Sequence, residues 1–336
     1  MKKNFAAARF RHALLAWYGK HKRRLPWRGE RDPYRIWISE VMLQQTRVAV
    51  VQDRYQEFLR LFPTLPILAR APRAKVLAAW SGLGYYRRAL NLHNAAQLLA
   101  RRGQLLPRGA EQLRQLPGIG RYTAAAIASI AFGERTAVVD GNVERVLGRL
   151  FAKPERGQPA TSSNSSEPCN PWQLAQELLD QKRPGDFNQA MMELGATLCH
   201  PLNPDCAACP VARFCAGRGK VRPQNRKTEM RRRVREKYLV LCRKHRVYLV
   251  RRATGESLMP GMWELPQTRA KVSGETVRAR HSITNTNFEV SAVIRRGGVA
   301  GMKDGKWISL ARLPQVPLTG LTRKLLRQVL PVATRH

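Results

Sequence analysis

Two carboxylates stand in surroundings that separate their chemistry. Glu40 lies in PYRIWISEVMLQQTRVAV, among Ile36, Trp37, Ile38, Val41, Met42 and Leu43. A carboxyl on so apolar a helix loses hydration, which favours its protonated form. Asp140 follows the apolar run Ala137-Val138-Val139 and precedes a helical pattern. The partial positive charge of a helix N-terminus favours its anion. One carboxyl kept as acid and one as anion suits cleavage of a glycosidic bond through an oxocarbenium-like state. Singly, Glu40 also reads as a solvent-facing or Arg-paired helical Glu, and Asp140 as a plain helix cap. The chemistry rests on having both.

Sulfur supplies a second constellation. Cys199, Cys206, Cys209 and Cys215 follow the pattern Cys-x6-Cys-x2-Cys-x5-Cys, whereas Cys169 and Cys242 stand apart. Four thiolates this close together can ring one metal centre, and zinc and a four-iron cluster both accept four Cys. The wide outer spacings suit the larger cube, but spacing alone leaves cluster and zinc both open.

Two further stretches could hold a polyanion. LPGIGRYTAAAIAS (116–129) ends one helix, turns through Gly118 and Gly120, and starts another at Arg121 and Tyr122. This is a helix-hairpin-helix pattern. Backbone N–H groups at the second helix's start can face a phosphate, and glycine lets it approach. Such a grip reads no base sequence. SGLGYYRR (81–88) sets Tyr85 and Tyr86 beside two arginines after a flexible turn. Aromatics there can wedge into a base stack while arginines hold phosphates. Gln44-Gln45 could fill the hole left by an extruded base. In isolation, a tight interhelical turn, buried tyrosines and solvent-facing glutamines explain the same residues.

The elements that must position these residues are mostly helical up to residue 150. Asp32-Pro33 is a cap followed by Pro at N1, and the pattern predicts one helix from there to about Leu61. Shorter helices follow to Trp80, over 85–102, to Leu116, over Arg121–Phe132 and from Asn142 to Phe151. Residues 153–170 are rich in Pro, Ser and Asn and read as a loop. Two helices over 171–198 precede the cysteines. Residues 216–237 are basic with little apolar content, as a linker would be. From Tyr238 the period shortens to that of strands, in YLVLCRKHRVYLVRR, HSITNTNFEVSAVIRR and KWISL, before a closing helix in LTGLTRKLLRQVL.

The chain has 336 residues, with 60 Lys+Arg against 23 Asp+Glu, a net charge of +37. That excess favours a polyanionic partner. No apolar run approaches the roughly 20 residues of a membrane span. The basic start reads as an amphipathic helix without the apolar core of a signal peptide. A cytoplasmic, nucleoid-associated nucleic-acid protein is expected.

These motifs occur together in a definite order. LPWR (25–28), SEVMLQQTRV (39–48), WSGLGYYRRALNLH (80–93), LPGIGRYTAAAI (116–127), VVDGNVERVL (138–147), FNQAMMELGATLC (187–199) and the four cysteines resemble the adenine DNA glycosylase (MutY) family of the helix-hairpin-helix superfamily, which also holds endonuclease III. The resemblance implies removal of adenine mispaired with 8-oxoguanine or guanine in double-stranded DNA, after flipping it from the stack. It implies that Glu40 protonates adenine N7 and then helps activate water. Asp140 is implied to stabilise the sugar cation, with Asn142 and Tyr122 lining the site. Trp27, Arg28 and Gln189 are implied near the adenine pocket. Gln45 and Tyr85 or Tyr86 are implied to enter the duplex, and Gly118, Gly120 and Arg121 to hold its backbone. Cys199, Cys206, Cys209 and Cys215 are implied ligands of one [4Fe–4S] cluster.

Lyase relatives carry a Lys where this chain has Tyr122, and a phenol cannot form a Schiff base. The resemblance therefore implies a monofunctional enzyme acting as a monomer. The rivals are an endonuclease III-like lyase on oxidised pyrimidines and a non-catalytic DNA-binding protein. The C-terminal region resembles the Nudix-like recognition domain of the same family, without the acidic run of a true Nudix hydrolase. Arg280-His281-Ser282 aligns just before the family's 8-oxoguanine loop, which here would be Ile283-Thr284-Asn285, with Thr284 as the contact. The expected organisation is an all-α catalytic region over 1–217, a basic linker over 218–236 and a Nudix-like α+β domain over 237–336. Within the first, a six-helix barrel is expected over about 28–133, and a cluster module from 1–27 and 134–217.

Overall fold

The computed structural model describes residues 6–152, 170–219, 232–253, 255–256, 258–270, 272–283, 286–296 and 305–330. Its helices run α1 (Ala7–His21), α2 (Pro33–Leu43), α3 (Val48–Leu61), α4 (Leu65–Arg70), α5 (Arg73–Ala79), α6 (Arg87–Arg101), α7 (Ala110–Leu113), α8 (Arg121–Phe132), α9 (Gly141–Leu150), α10 (Pro171–Leu178) and α11 (Pro184–Thr197). Strands β1 (Arg232–Arg243), β2 (Arg246–Arg251), β3 (Trp263–Glu264), β4 (Thr276–Ile283), β5 (Thr286–Arg296) and β6 (Gly305–Ser309) precede α12 (Gly320–Val329). Among the described residues no helix is long and apolar enough to cross a membrane. The expected loop at 153–170, with Cys169, lies almost wholly outside them.

The chain divides into two units. The first joins Met1–Gln44 to Arg101–Arg226, the second Gln45–Ala100 to Lys227–His336. In the first, α2 begins as its sequence dictates: Pro33 stands in the first turn, and the Asp32 carboxylate accepts from the Tyr34 N–H. Its side chains from Ile36 to Met42 are all buried, so that stretch of the helix has no wet face. It packs on α8, whose small residues Ala124, Ala125, Ala126 and Ala128 are likewise buried. The hairpin before α8 turns at Gly118, whose φ of 77° is left-handed backbone that glycine adopts freely. Helices α1, α9, α10 and α11 close a second core around Phe10, Leu14, Val143, Leu147, Phe187 and Leu194.

One expectation fails here. The single helix expected over 33–61 is two helices, broken at residues 44–47. Gln45 sits there at φ 54°, an uncommon conformation for a residue with a side chain. No Gly or Pro marks the break. Its supports are remote in sequence: Arg88 donates to Thr46 Oγ1 at 3.0 Å, and Thr46 Oγ1 donates to the Leu83 carbonyl at 3.2 Å.

In the second unit, α3 to α6 pack around Phe58, Phe62 and Trp80, with the Phe58 ring centroid 4.8 Å from Phe62 and 5.8 Å from Trp80. The C-terminal strands form one sheet in the order β3-β2-β1-β5-β4, with β6 on β2. Strand β1 begins at Arg232, inside the basic stretch read as linker, because it pairs in parallel with β5 from Arg232↔Thr286 onward. Within HSITNTNFEVSAVIRR, β4 pairs antiparallel with β5. Tyr238, Val240, Val290 and Ala292 face Leu321, Leu325 and Leu326 of α12 in a core of their own.

Candidate active site and nucleic-acid interface

The first unit gathers side chains from five places in sequence. Glu40 comes from the middle of α2 and is 6% exposed. Its Oε2 accepts from the Tyr122 hydroxyl at 2.9 Å, at the start of α8. The same hydroxyl lies 3.3 Å from Met192 Sδ on α11. Burial pushes the Glu40 carboxyl above the ordinary carboxylate range, and the nearby Asp140 charge adds to the rise, against the Tyr122 hydroxyl and the Arg28 charge. Burial also raises the Tyr122 phenol well above its usual value, with Glu40 and Asp140 adding to it. Tyr122 therefore acts as a neutral donor.

Asp140 is the N-cap of α9. Its Oδ1 accepts from the Val143 N–H at 2.7 Å and its Oδ2 from the Asn142 amide at 3.0 Å. The segment leading to it is stitched down from both sides. Asn188 Oδ1 accepts from the Val138 N–H at 3.1 Å, and Gln176 Oε1 from the Ala137 N–H at 2.9 Å. The second carboxylate is thereby held where its charge acts on the first.

Arg28, in the turn after α1, donates to Gln189 Oε1 at 2.7 Å and to Glu193 on α11. Arg23 holds Glu193 as well, through its backbone N–H at 3.0 Å and its guanidinium at 2.7 Å. Glu193 is fully buried. Burial alone would raise its carboxyl, but the Arg23 hydrogen bond and the Arg28 charge hold it below the usual range. Trp27 and Gln189 are buried at 6% and 7% exposure. Sequence reading missed Glu193 and Arg23. One signal was available: in so basic a chain, an acid on an otherwise apolar helix face has arginine as its natural partner.

The four cysteines line one recess together with Arg149, Leu198, Pro204 and Asp205. Burial and the neighbouring sulfurs push the Cys209 thiol up to about 11. Among the described residues, no three His, Cys, Asp or Glu side chains stand close enough to hold a single metal ion. Arg149 donates to Cys199 Sγ at 3.1 Å and to the His200 carbonyl at 2.7 Å. One turn earlier, Arg145 donates to the Cys199 carbonyl at 2.8 Å and to Asn142 Oδ1 at 2.7 Å. Two arginines of α9 therefore tie the cysteine loop to the residue beside Asp140. Neither was picked out from the sequence.

The residues expected to touch DNA divide. Gly120 starts α8 without a side-chain cap, and a Cβ there would meet nothing within 4 Å, so its backbone is open. Arg121 is exposed and stacks over Trp172 with its guanidinium 3.9 Å from the ring centroid. In the second unit, Gln45 is exposed and Tyr85 is 50% exposed, each in left-handed backbone at φ 54° and 45°. Tyr86 is corrected: it is 6% exposed, and its hydroxyl donates to the Leu318 carbonyl at 3.4 Å, so it cannot enter a duplex as it stands. The Arg88 guanidinium bonds Thr46, Leu83 and Gly84 and lies over the rings of Trp80 and Tyr85, so it fixes both exposed turns. Thr284 lies outside the described residues.

The arrangement is a helical hairpin before an acid-capped helix. Residues 38–171 match the HhH-GPD superfamily base excision DNA repair protein family. The chain is similar to adenine DNA glycosylases. It is 50% identical over 222 residues to that of Homo sapiens, covering 63% of this chain and 40% of the human protein. It is 35% identical over 319 residues to that of Arabidopsis thaliana, covering 82% of this chain and 50% of that protein. The chain thus spans about half the length of the curated relatives it matches. A solved structure of a thermostable thymine-DNA glycosylase, 28% identical, superposes with a TM-score of 0.56 over 64% of this chain and 97% of the other.

Proposed function

We propose that the protein is a monofunctional adenine DNA glycosylase, which flips adenine from mispairs with 8-oxoguanine or guanine in duplex DNA and hydrolyses its glycosidic bond. The observation that carries this reading is the pairing of Glu40, buried and driven toward its protonated form, with Asp140, whose carboxyl oxygens accept from the Val143 N–H and the Asn142 amide. Glu40 donates its proton to adenine N7, which makes the base a neutral leaving group. Asp140 stabilises the oxocarbenium-like sugar that forms. Tyr122 and Asn142 hold the two carboxylates, and Trp27, Arg28 and Gln189 shape the base pocket. Tyr122 stands where a lyase needs an amine, and its hydroxyl is committed to Glu40. The similarity to curated adenine DNA glycosylases supports the same choice.

Cys199, Cys206, Cys209 and Cys215 would hold one [4Fe–4S] cluster. The donor set fits such a group: four thiols line a shared recess. A bound cluster would hold in place the cysteine loop that Arg145 and Arg149 tie to α9. The C-terminal domain serves as the Nudix-like reader of 8-oxoguanine, with Thr284 in contact with the oxidised base. The protein works as a monomer in the cytoplasm.

The deciding experiment is a duplex carrying A opposite 8-oxoguanine, treated with and without alkali. Wild-type protein releases adenine and leaves a strand that breaks only with alkali, and Glu40→Gln binds the duplex but releases nothing. Strand scission without alkali, trapped by borohydride, would sink the monofunctional reading.

A further inference from the structure

The C-terminal sheet has one face covered by α12 and a second face that changes character along its strands. Register decides which side chains share that second face. Across β1, β5 and β4, the matched rows are Arg233–Asn287–Ser282, Arg235–Glu289–Arg280 and Lys237–Ser291–Arg278. Arg233, Arg235, Lys237, Arg278 and Arg280 are all exposed. The intervening residues on the other face, Val290, Ala292 and Ala279, belong to the core under α12. Further along the same strands the second face turns apolar, where Leu239, Leu241 and Val293 pack with Tyr248 and Trp307.

Five cations and one carboxylate therefore occupy one half of a sheet face. Arg235 approaches Glu289 at 3.3 Å but is 88% exposed, so that carboxylate leaves most of the charge uncompensated. Charged residues on an edge strand deter pairing with other chains; β4 is an edge, and β1 meets β2 at Cys242 and Arg243, away from Arg233 and Arg235. Edge protection therefore predicts the same charges, and the salt dependence of DNA binding separates the two readings. Same-face residues two apart on a strand stand about 7 Å apart, a spacing close to that of neighbouring phosphates along a nucleic-acid strand. In the middle row, on β5, Asn287 and Ser291 are small and polar, and Glu289 stands between them against Arg235.

We propose that the exposed β1–β5–β4 face is a binding surface for the sugar–phosphate backbone of DNA, separate from the hairpin and the adenine site. Arg233, Arg235 and Lys237 contact phosphates from one side of the track, and Arg278 and Arg280 from the other. The proposal extends the glycosylase reading but does not depend on base removal.

The test uses the full chain. Binding to an undamaged duplex is measured over a range of salt for the wild type, for R235Q/R278Q/R280Q, and for a control with the exposed cations of the same domain removed elsewhere, K306Q/R312Q/R327Q. For every cation that no longer meets a phosphate, the slope of log K against log salt should fall by about 0.9. The face variant should lose roughly two to three units of slope, with affinity reduced about ten-fold or more at moderate salt, while the control changes little. Equal losses in both variants, or none in either, would overturn the proposal in favour of diffuse charge. Binding to phosphatidylserine vesicles is run alongside, and a face variant that loses vesicles but keeps its DNA slope would also overturn it. Circular dichroism and melting temperature verify that both variants fold. Adenine release by the wild type is scored in a separate reaction, so failure of the glycosylase reading and failure of this surface give different results.

Discussion

At the scale of single residues, the site works by setting three acids apart. Glu40 is buried next to a phenol, Asp140 is capped by N–H donors, and Glu193 is clamped between arginines. The consequences for pH have opposite signs. Glu40 binds its proton more tightly folded than unfolded, so its contribution to stability falls as pH rises from the ordinary carboxylate range through its raised value. Glu40→Gln should then melt at the same temperature as the wild type or higher at neutral pH, while base release disappears. A lower melting temperature would contradict the burial argument. Glu193 is the reverse case: its stabilisation is present at neutral pH and is lost as pH falls through its depressed value. Truncating one partner of a buried ion pair costs about 3–5 kcal/mol, so Glu193→Ala should show a loss of that order in urea melts at neutral pH and a smaller one in acid. Tyr122→Phe removes a hydrogen bond that favours the Glu40 anion. The alkaline limb of its rate profile should move to higher pH even as the maximal rate drops.

At the scale of elements, close approach matters more than propensity. A Cβ on Gly195 of α11 would fall 2.6 Å from Asn142 Cβ, so α11 can lie against the cap of α9 only because that residue is glycine. Gly195→Ala should move Asn142, reduce adenine release at least ten-fold, and lower stability by about 1–3 kcal/mol as overpacking does. Single-turnover rates and melting curves would reveal both effects, and an unchanged rate would remove Asn142 from the mechanism. The break between α2 and α3 carries a related lesson. Nothing in SEVMLQQTRVAV announces it, because no breaker residue is present and both halves keep helical periodicity. It is made by Arg88, forty residues on, which reaches Thr46 while holding the turn that exposes Tyr85. Arg88→Lys keeps the charge but not the planar fork, so it should weaken binding to mismatched duplex beyond what one lost charge explains, with the salt slope little changed.

At the scale of the whole molecule, a net charge of +37 comes from 60 Lys+Arg against 23 Asp+Glu. Binding to DNA should fall steeply with salt, as counterion release requires, and slow release of the abasic product at low salt should speed up as salt is added. A salt-independent affinity would show that the charge serves some other purpose. By itself, the sequence picked out the two carboxylates, the sulfur array and the hairpin, because each rests on residue types at short, characteristic spacings. It also separated an all-α portion from a sheet portion, since periodicity is a local property. Only the tertiary structure decided that Tyr85 is presented and Tyr86 buried. It alone decided that Glu193 lies between Arg23 and Arg28, that α9 braces the cysteine loop, and that five cations share one sheet face. Those outcomes depend on register and on contacts between residues scores of positions apart, which no local pattern in the chain records.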